Sequence, residues 1–363
     1  MNFFADILSS LFDRKLGLAS RVEDDNKPID ALCQALLSSR GDVSGMSLAQ
    51  LILDRYADLD DAGKLAWFSL LANDMDVPAE IAIAAIKDYQ DAPSAKNYEA
   101  MTARVEPARL QLIRRLNQTH DATAKLVAMR EDLIRFLPEH HDLGKLNVDF
   151  KHLFASWFNR GFLVLRPINW SSPAHILEKI ITYESVHEIE NWDDLRRRLQ
   201  PEDRRCFAFF HPAMPDEPLI FVEVALTKGT PNSIQNVLLE NRDAMAAEKA
   251  DTAAFYSISN CQAGLAGISF GNSLIKTVVQ HLLRELPQIR NFVTLSPIPG
   301  LVKWLRESDN FDADATAETH MQLAAHYLLN AKHHNGQPRD PVARFHLNNG
   351  ALVGAVHANA DKS

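Results

Sequence analysis

Three glycines within eight residues, Gly264-Leu-Ala-Gly267-Ile-Ser-Phe-Gly271, stand between two patterned stretches. Before them lies the β-branched and aromatic run Phe255-Tyr-Ser-Ile-Ser259; after them, Ser273 to Leu286 carries helical apolar spacing. A glycine loop running from a strand into a helix N-terminus presents unpaired backbone N–H groups, and the helix dipole adds partial positive charge there. The chemistry this favours is the holding of phosphate. The loop lacks the Gly-Lys-Ser/Thr of a P-loop and the G-x-G-x-x-G plus acidic residue of a dinucleotide site, so nucleotide hydrolysis and hydride transfer fit poorly. The pyrophosphate of coenzyme A stays compatible, because it asks for backbone donors and neither magnesium nor lysine. The alternative is that the glycines only let strand and helix pack closely.

Other chemically capable groupings read as structural. Glu139-His-His-Asp142, near Lys145 and Asp149, mixes charge signs after Pro138 and reads as a solvated turn. His187-Glu188 begins like a zincin motif, but Asn191 stands where the second histidine is required. His326, His333 and His334 straddle a helix end and a Gly-x-Pro loop and read as surface or capping residues. Cys33, Cys206 and Cys261 are far apart and form no C-x-x-C, which argues against a disulfide framework or zinc and for a reducing, cytoplasmic location. No metal site is expected.

The elements that must position the loop fall into two textures. From Pro28 to about Phe158 the chain reads as helices: Ile29 to Leu37, Ser47 to Ala57, Ala62 to Asn73, Pro78 to Asp88, Tyr98 to Asn117 and His120 to Phe136, with Ser94 and Thr119 as candidate helix starts. Residues 1–160 are therefore expected to form a helical bundle with a scaffold or oligomerisation role. The first twelve residues have amphipathic spacing but carry Asp6 and lack a basic leader, so they read as a helix and not as a secretory signal. From Gly161 onward strands appear: Phe162 to Leu165, Cys206 to Phe210, and Leu219 to Leu226, the last two joined through the turn-rich His211–Pro218 linker. Helices are expected at His175–Glu184, Asn191–Arg198, Ser233–Leu238, Leu301–Arg306 and Ala315–Leu329. Asn291-Phe-Val-Thr-Leu295 reads as the strand after the long helix, entering the turn Ser296-Pro-Ile-Pro-Gly300. Pro341 to Gly350 reads as a loop leading into a strand-like run, Ala351 to Val356.

At 363 residues the chain is long enough for two domains, and 46% hydrophobic with 23% charged residues is a globular composition. The net charge of -9 gives no general attraction for nucleic acid or anionic membrane, and no run approaches the roughly 20 apolar residues of a bilayer span.

Hairpin, strand, phosphate loop, helix and strand is the order of the GNAT-type acetyltransferase fold, whose loop binds coenzyme A. The wording of four motifs resembles the malonyl-CoA decarboxylase family: Phe255-Tyr-Ser-Ile-Ser259, Gly264-Leu-x-Gly267, Leu295-Ser-Pro-Ile-Pro-Gly300, and Asn349-Gly-Ala351 after Phe345-His346. The resemblance covers the region from Gly161 onward, and the helical half is similar in layout to the family's helical domain. It implies an α+β protein: an N-terminal helical bundle (1–160) and a GNAT-type acetyltransferase-like mixed-sheet catalytic domain (161–363). It also implies decarboxylation of malonyl-CoA to acetyl-CoA and carbon dioxide, with no metal or organic cofactor, by a homo-oligomer, dimer or tetramer. By motif, Ser296 resembles the family's catalytic serine and His346 its catalytic histidine, with Ser257 beside the site. The coenzyme A phosphates would be held by Ala266, Gly267, Ile268, Ser269, Phe270, Gly271 and Asn272. Taken alone, Ser296 also fits a turn serine and His346 a buried histidine satisfied by backbone. Family members continue past the Asn-Gly-Ala motif into a segment ending near the active site, whereas this sequence stops at Ser363, so that segment is expected to be lacking.

Loss of carbon dioxide leaves a thioester enolate, which calls for a donor aimed at the thioester oxygen and an acid for the carbon. Such a donor is worth about 3 to 4 kcal/mol and a general acid about 10² to 10⁴ in rate. Two other functions remain open: acetyl transfer from coenzyme A to an amine, which would need an acceptor groove, and an inactive sensor of coenzyme A thioesters.

Overall fold

The computed structural model describes residues 27–38, 42–268, 271–308, 311–312 and 315–361; the predicted N-terminal helix over residues 1–12 lies outside them. The chain divides into two compact units, one ending at Trp157 but also taking in Ala263–Ile268, the other made of Phe158–Gln262 and the residues from Ser269 onward.

The first unit is helical: α1 (Ile29–Ser38), α2 (Asp42–Ala57), α3 (Asp61–Ser69, continued by a π turn at Leu70–Asp74), α4 (Ala79–Asp91), α5 (Ala95–Val105), α6 (Ala108–Leu116), α7 (Ala122–Phe136) and α8 (Gly144–Trp157). The Asp60 carboxylate caps α3 and the Ser94 hydroxyl caps α5. Thr119 does not cap α7; its hydroxyl donates to the Gln50 side chain at 3.0 Å. The single helix expected over Tyr98–Asn117 is two. Pro107 has no N–H to give and forces Glu106 to φ -80°, ψ 121°, which ends α5. Leu112, Ile113, Leu126, Leu133, Phe150 and Phe154 are buried in its interior. Of the predicted solvated turn, Glu139, His141 and Asp142 are exposed, while Asp149 reaches buried Arg109 at 2.6 Å.

The second unit is a mixed sheet with helices: β1 (Val164–Ile168), α9 (Ala174–Tyr183), α10 (Trp192–Leu199), β2 (Arg204–His211), β3 (Met214–Thr227), α11 (Ile234–Leu238), β4 (Thr252–Asn260), α12 (Gly271–Glu285), β5 (Asn291–Thr294), α13 (Leu301–Glu307), α14 (Ala317–Asn330) and α15 (Pro341–Asn348). Spatial order follows chain order. β1 to β4 pair antiparallel, and β5 lies parallel to β4 after the α12 crossover, as the acetyltransferase-type order requires. Ile176, Leu177 and Ile180 of α9 and Leu195 and Leu199 of α10 are buried against Phe210 and Phe221 of the sheet.

Three expectations change. Val164, not Phe162, begins β1, because Arg160–Phe162 forms a short 3₁₀ turn. The His211–Pro218 linker shrinks to a turn at Pro212-Ala213, since β3 already runs from Met214; Pro215 and Pro218 are accommodated where the β2–β3 register slips. Most consequential for function, the loop expected over Pro341–Gly350 is helix α15, and residues 351–356 form no strand. Among the described residues no helix is long and apolar enough to cross a membrane.

Candidate active site

β4 and β5 pair only from Thr252↔Asn291 to Phe255↔Thr294, with a last bond from the Leu295 N–H to the Phe255 carbonyl at 2.8 Å. Beyond that point β4 continues beside β3, but β5 turns away at Ser296, because Pro297 and Pro299 cannot donate to a ladder. At the parting, Tyr256 is the extra residue of a bulge, Phe255 facing Val224 and Ser257 facing Glu223. Ser296 is thus presented, exposed, just past the end of β5, the edge strand that runs parallel to β4.

His346 comes from α15. Asp340 caps that helix, its Oδ1 accepting the N–H groups of Val342 at 3.0 Å and Ala343 at 2.9 Å, with Pro341 in the first turn. Asn349-Gly-Ala351 closes it: Gly350, at φ 85°, donates to the Leu347 carbonyl at 3.0 Å, and Ala351 donates to the His346 carbonyl at 3.1 Å. This is a Schellman arrangement, so the motif read as a strand entrance is a helix terminator that leaves His346 in the final turn. The signal was present in the Asp-Pro start and the Asn-Gly end.

Ser296 and His346 meet. The Ser296 Oγ lies 2.9 Å from the His346 Nε2, across 50 residues of sequence. His346 is half-buried, and this desolvation lowers its pKa below the ordinary histidine value. Its Nδ1 is buried and makes no hydrogen bond among the described residues. A nucleophilic serine–histidine system needs Nε2 as acceptor and a third group on the Nδ1 proton. The contact accommodates either hydrogen-bond direction, and a tautomer with Nε2–H donating to Ser296 would leave the serine proton for a substrate oxygen.

The remaining predicted residues have contacts of their own. Ser257 is buried and donates to the Glu184 carboxylate, with Oγ 2.8 and 2.7 Å from its two oxygens; Glu184 also accepts the Val186 and His187 N–H groups at 2.8 Å each. Among the described residues Ser257 makes its side-chain hydrogen bonds with Glu184 and Ser259 and none with Ser296 or His346. Of the predicted phosphate segment, Ala266, Gly267 and Ile268 belong to the helical unit, Gly271 and Asn272 open α12 in the sheet unit, and Ser269 and Phe270 lie outside the described residues. Gly264 serves close packing, since a Cβ there would lie 1.9 Å from the Val127 carbonyl oxygen. Arg130, buried, fixes this turn by donating to the carbonyls of Gly264 at 2.6 Å and Ala266 at 2.8 Å. Gly267 supplies a φ of 78° and stays exposed.

The chain is similar to known proteins over most of its length. Residues 161–319 and 307–363 match the malonyl-CoA decarboxylase C-terminal domain, and residues 77–158 match the malonyl-CoA decarboxylase N-terminal domain. The mitochondrial malonyl-CoA decarboxylase of Anser anser anser is 37% identical over 303 residues, 69% of this chain and 60% of that protein. The Mus musculus enzyme is 35% identical over 289 residues, 66% of this chain and 58% of that one. The chain therefore spans about three fifths of the length of these curated relatives. The crystal structure of malonyl-CoA decarboxylase from Rhodopseudomonas palustris is 50% identical with a TM-score of 0.81, covering 89% of this chain and 85% of that one. The Agrobacterium vitis structure is 48% identical with a TM-score of 0.83 at the same coverages. With both domain models matched in order and both solved structures superposing on it, the chain belongs to the malonyl-CoA decarboxylase family.

Proposed function

We propose that this protein decarboxylates malonyl-CoA to acetyl-CoA and carbon dioxide at the Ser296–His346 pair. The 2.9 Å contact between these two side chains, beside the parting of parallel β4 and β5, is the observation that carries the reading. The Ser296 hydroxyl donates to the thioester oxygen. The carbon–carbon bond to the carboxylate breaks, its electron pair enters the thioester enolate, and carbon dioxide leaves. The enolate carbon then takes up one proton, drawn ultimately from water through the His346–Ser296 pair. The coenzyme A phosphates are assigned to the backbone of Ala266–Asn272, including the α12 N-terminus at Gly271. Ser257 is assigned a supporting place in the adjoining strand. No metal or organic cofactor takes part, so turnover is expected to survive exhaustive chelation.

The same reading makes the protein cytoplasmic, in keeping with three buried free cysteines, and a homo-oligomer. Exposed Ile83, Ile86 and Tyr98 on α4 and α5 favour self-association through the helical unit.

Mass detection of products after incubation with malonyl-CoA tests the reading. Equal amounts of acetyl-CoA and carbon dioxide without any acceptor support it; product only with an added amine means acetyl transfer, and tight binding without product means a sensor. The pH profile is a second check. Because burial disfavours imidazolium, the folded pKa of His346 lies below the unfolded value of about 6.5. The neutral form therefore persists to lower pH, and the acid limb of kcat/KM is expected below that value. An acid limb above it removes His346, in its neutral form, from the mechanism.

A further inference from the structure

We propose that Asp340 is a positioning residue that clamps the Ser296 turn to the His346 helix and so sets the distance between the two catalytic side chains. The inference rests on the decarboxylase reading only for its kinetic readout. Asp340 is 2% exposed and spends its two oxygens on two different segments. Oδ1 accepts Val342 at 3.0 Å and Ala343 at 2.9 Å, which caps α15, while Oδ2 accepts the Gly300 N–H at 3.2 Å. Gly300 stands four residues after Ser296, and His346 six residues after Asp340. One buried carboxylate thereby joins the strand exit that carries the serine to the helix that carries the histidine.

The clamp has a backing. Tyr327 of α14 is buried, and its hydroxyl oxygen would lie 2.2 Å from a Cβ at Gly300, so the turn sits on the phenol with no room for a side chain. Trp304 of α13 packs on Tyr327 with ring centroids 5.2 Å apart. The Gly300 N–H donates to Asp340. A helix cap alone would need only one of the two oxygens. The second is what turns a cap into a connection.

Asp340→Ser and Asp340→Asn in the full chain separate these roles. Serine still caps α15 well but is one atom too short to reach Gly300 as well; asparagine keeps the volume and loses one acceptor. Because misplacement of reacting groups by about 1 Å costs about 10²-fold, kcat is expected to fall by about that factor in both variants. KM for malonyl-CoA should stay within about threefold, as for an interaction used in the transition state and not in binding. The His346 imidazole signals in ¹H–¹⁵N spectra should move to the positions they take in Ser296→Ala. Wild-type kcat in Asp340→Ser, or a lowered Tm with kcat and the His346 signals unchanged, overturns the proposal and leaves Asp340 a helix cap. Should the serine variant fail to fold, the asparagine variant is read by the same three measurements. A wild-type chain that releases no acetyl-CoA defeats the decarboxylase reading alone, since the imidazole signals still report the Ser296–His346 contact.

Discussion

Ser296→Ala is expected to lower kcat for malonyl-CoA by about 10² to 10³, the range seen when one oxyanion donor is removed. His346→Ala is expected to cost about 10² to 10⁴, the range of a general acid or base. On the proposed mechanism both side chains act on charge that develops as carbon dioxide departs, so kcat and kcat/KM should fall together while KM changes little. The two also act through one hydrogen bond of 2.9 Å, which makes their losses non-additive. The double variant should be little worse than the poorer single one. Because Ser296 is exposed and His346 only half-buried, each alanine variant should keep its circular dichroism and most of its Tm. Acetyl-CoA formation by the purified variants decides the matter: undiminished turnover in either removes that residue from the chemistry, and strictly additive losses separate the pair.

Much of this site could be read from the sequence, and the unread parts share one physical cause. The strand at Phe255–Ser259, the crossover helix and the Ser296 turn announce themselves through local patterns: β-branched residues, glycines, apolar spacing at helical period and paired prolines. Local signals also located most helices of the first unit, failing at Glu106-Pro107, where apolar periodicity runs on through a proline that breaks the backbone. Helix α15 escaped because it is eight residues long, begins with proline and ends in Asn-Asn-Gly, so turn residues outweigh its short periodic core. The meeting of Ser296 with His346 could not come from spacing at all. Resemblance to a family put both in one site, and the fold provides the contact. Asp340 shows the limit most plainly. Its helix partners lie two and three residues ahead, within the reach of a local pattern, whereas Gly300 lies 40 residues behind, and nothing local marks it as a partner.

Arg198→Met should produce the largest loss of stability, about 3 to 5 kcal/mol once the pH exceeds the Glu223 value and the carboxylate is charged, the range for breaking a buried pair from one side. The Arg198 side chain is 4% exposed and lies 3.2 Å from a Glu223 oxygen on a side chain that is fully buried; it also meets Asp194 at 3.1 Å and donates to the carbonyls of His187 and Glu188, each at 2.8 Å. Glu223 faces Ser257 beside the Tyr256 bulge, so this pair sits under the part of the sheet where β4 and β5 separate. Burial pushes the Glu223 carboxyl up to about 8 in spite of Arg198. Its folded pKa is thus above the unfolded one, near 4.5. Between those values the folded state holds a proton that the unfolded chain has released, and Glu223 takes stability away as pH rises through the window. Without Arg198 the carboxylate has lost its main counter-charge, its folded pKa rises further, and that decline should extend to higher pH. Urea unfolding at pH 5.5 and 8.5 is therefore expected to show a larger deficit for Arg198→Met at the higher pH, while Arg198→Met with Glu223→Gln should recover part of the loss there, because no buried charge is left at position 223. Equal deficits at both pH values would show that packing of the arginine stem, and not the charge of Glu223, is what the substitution removes.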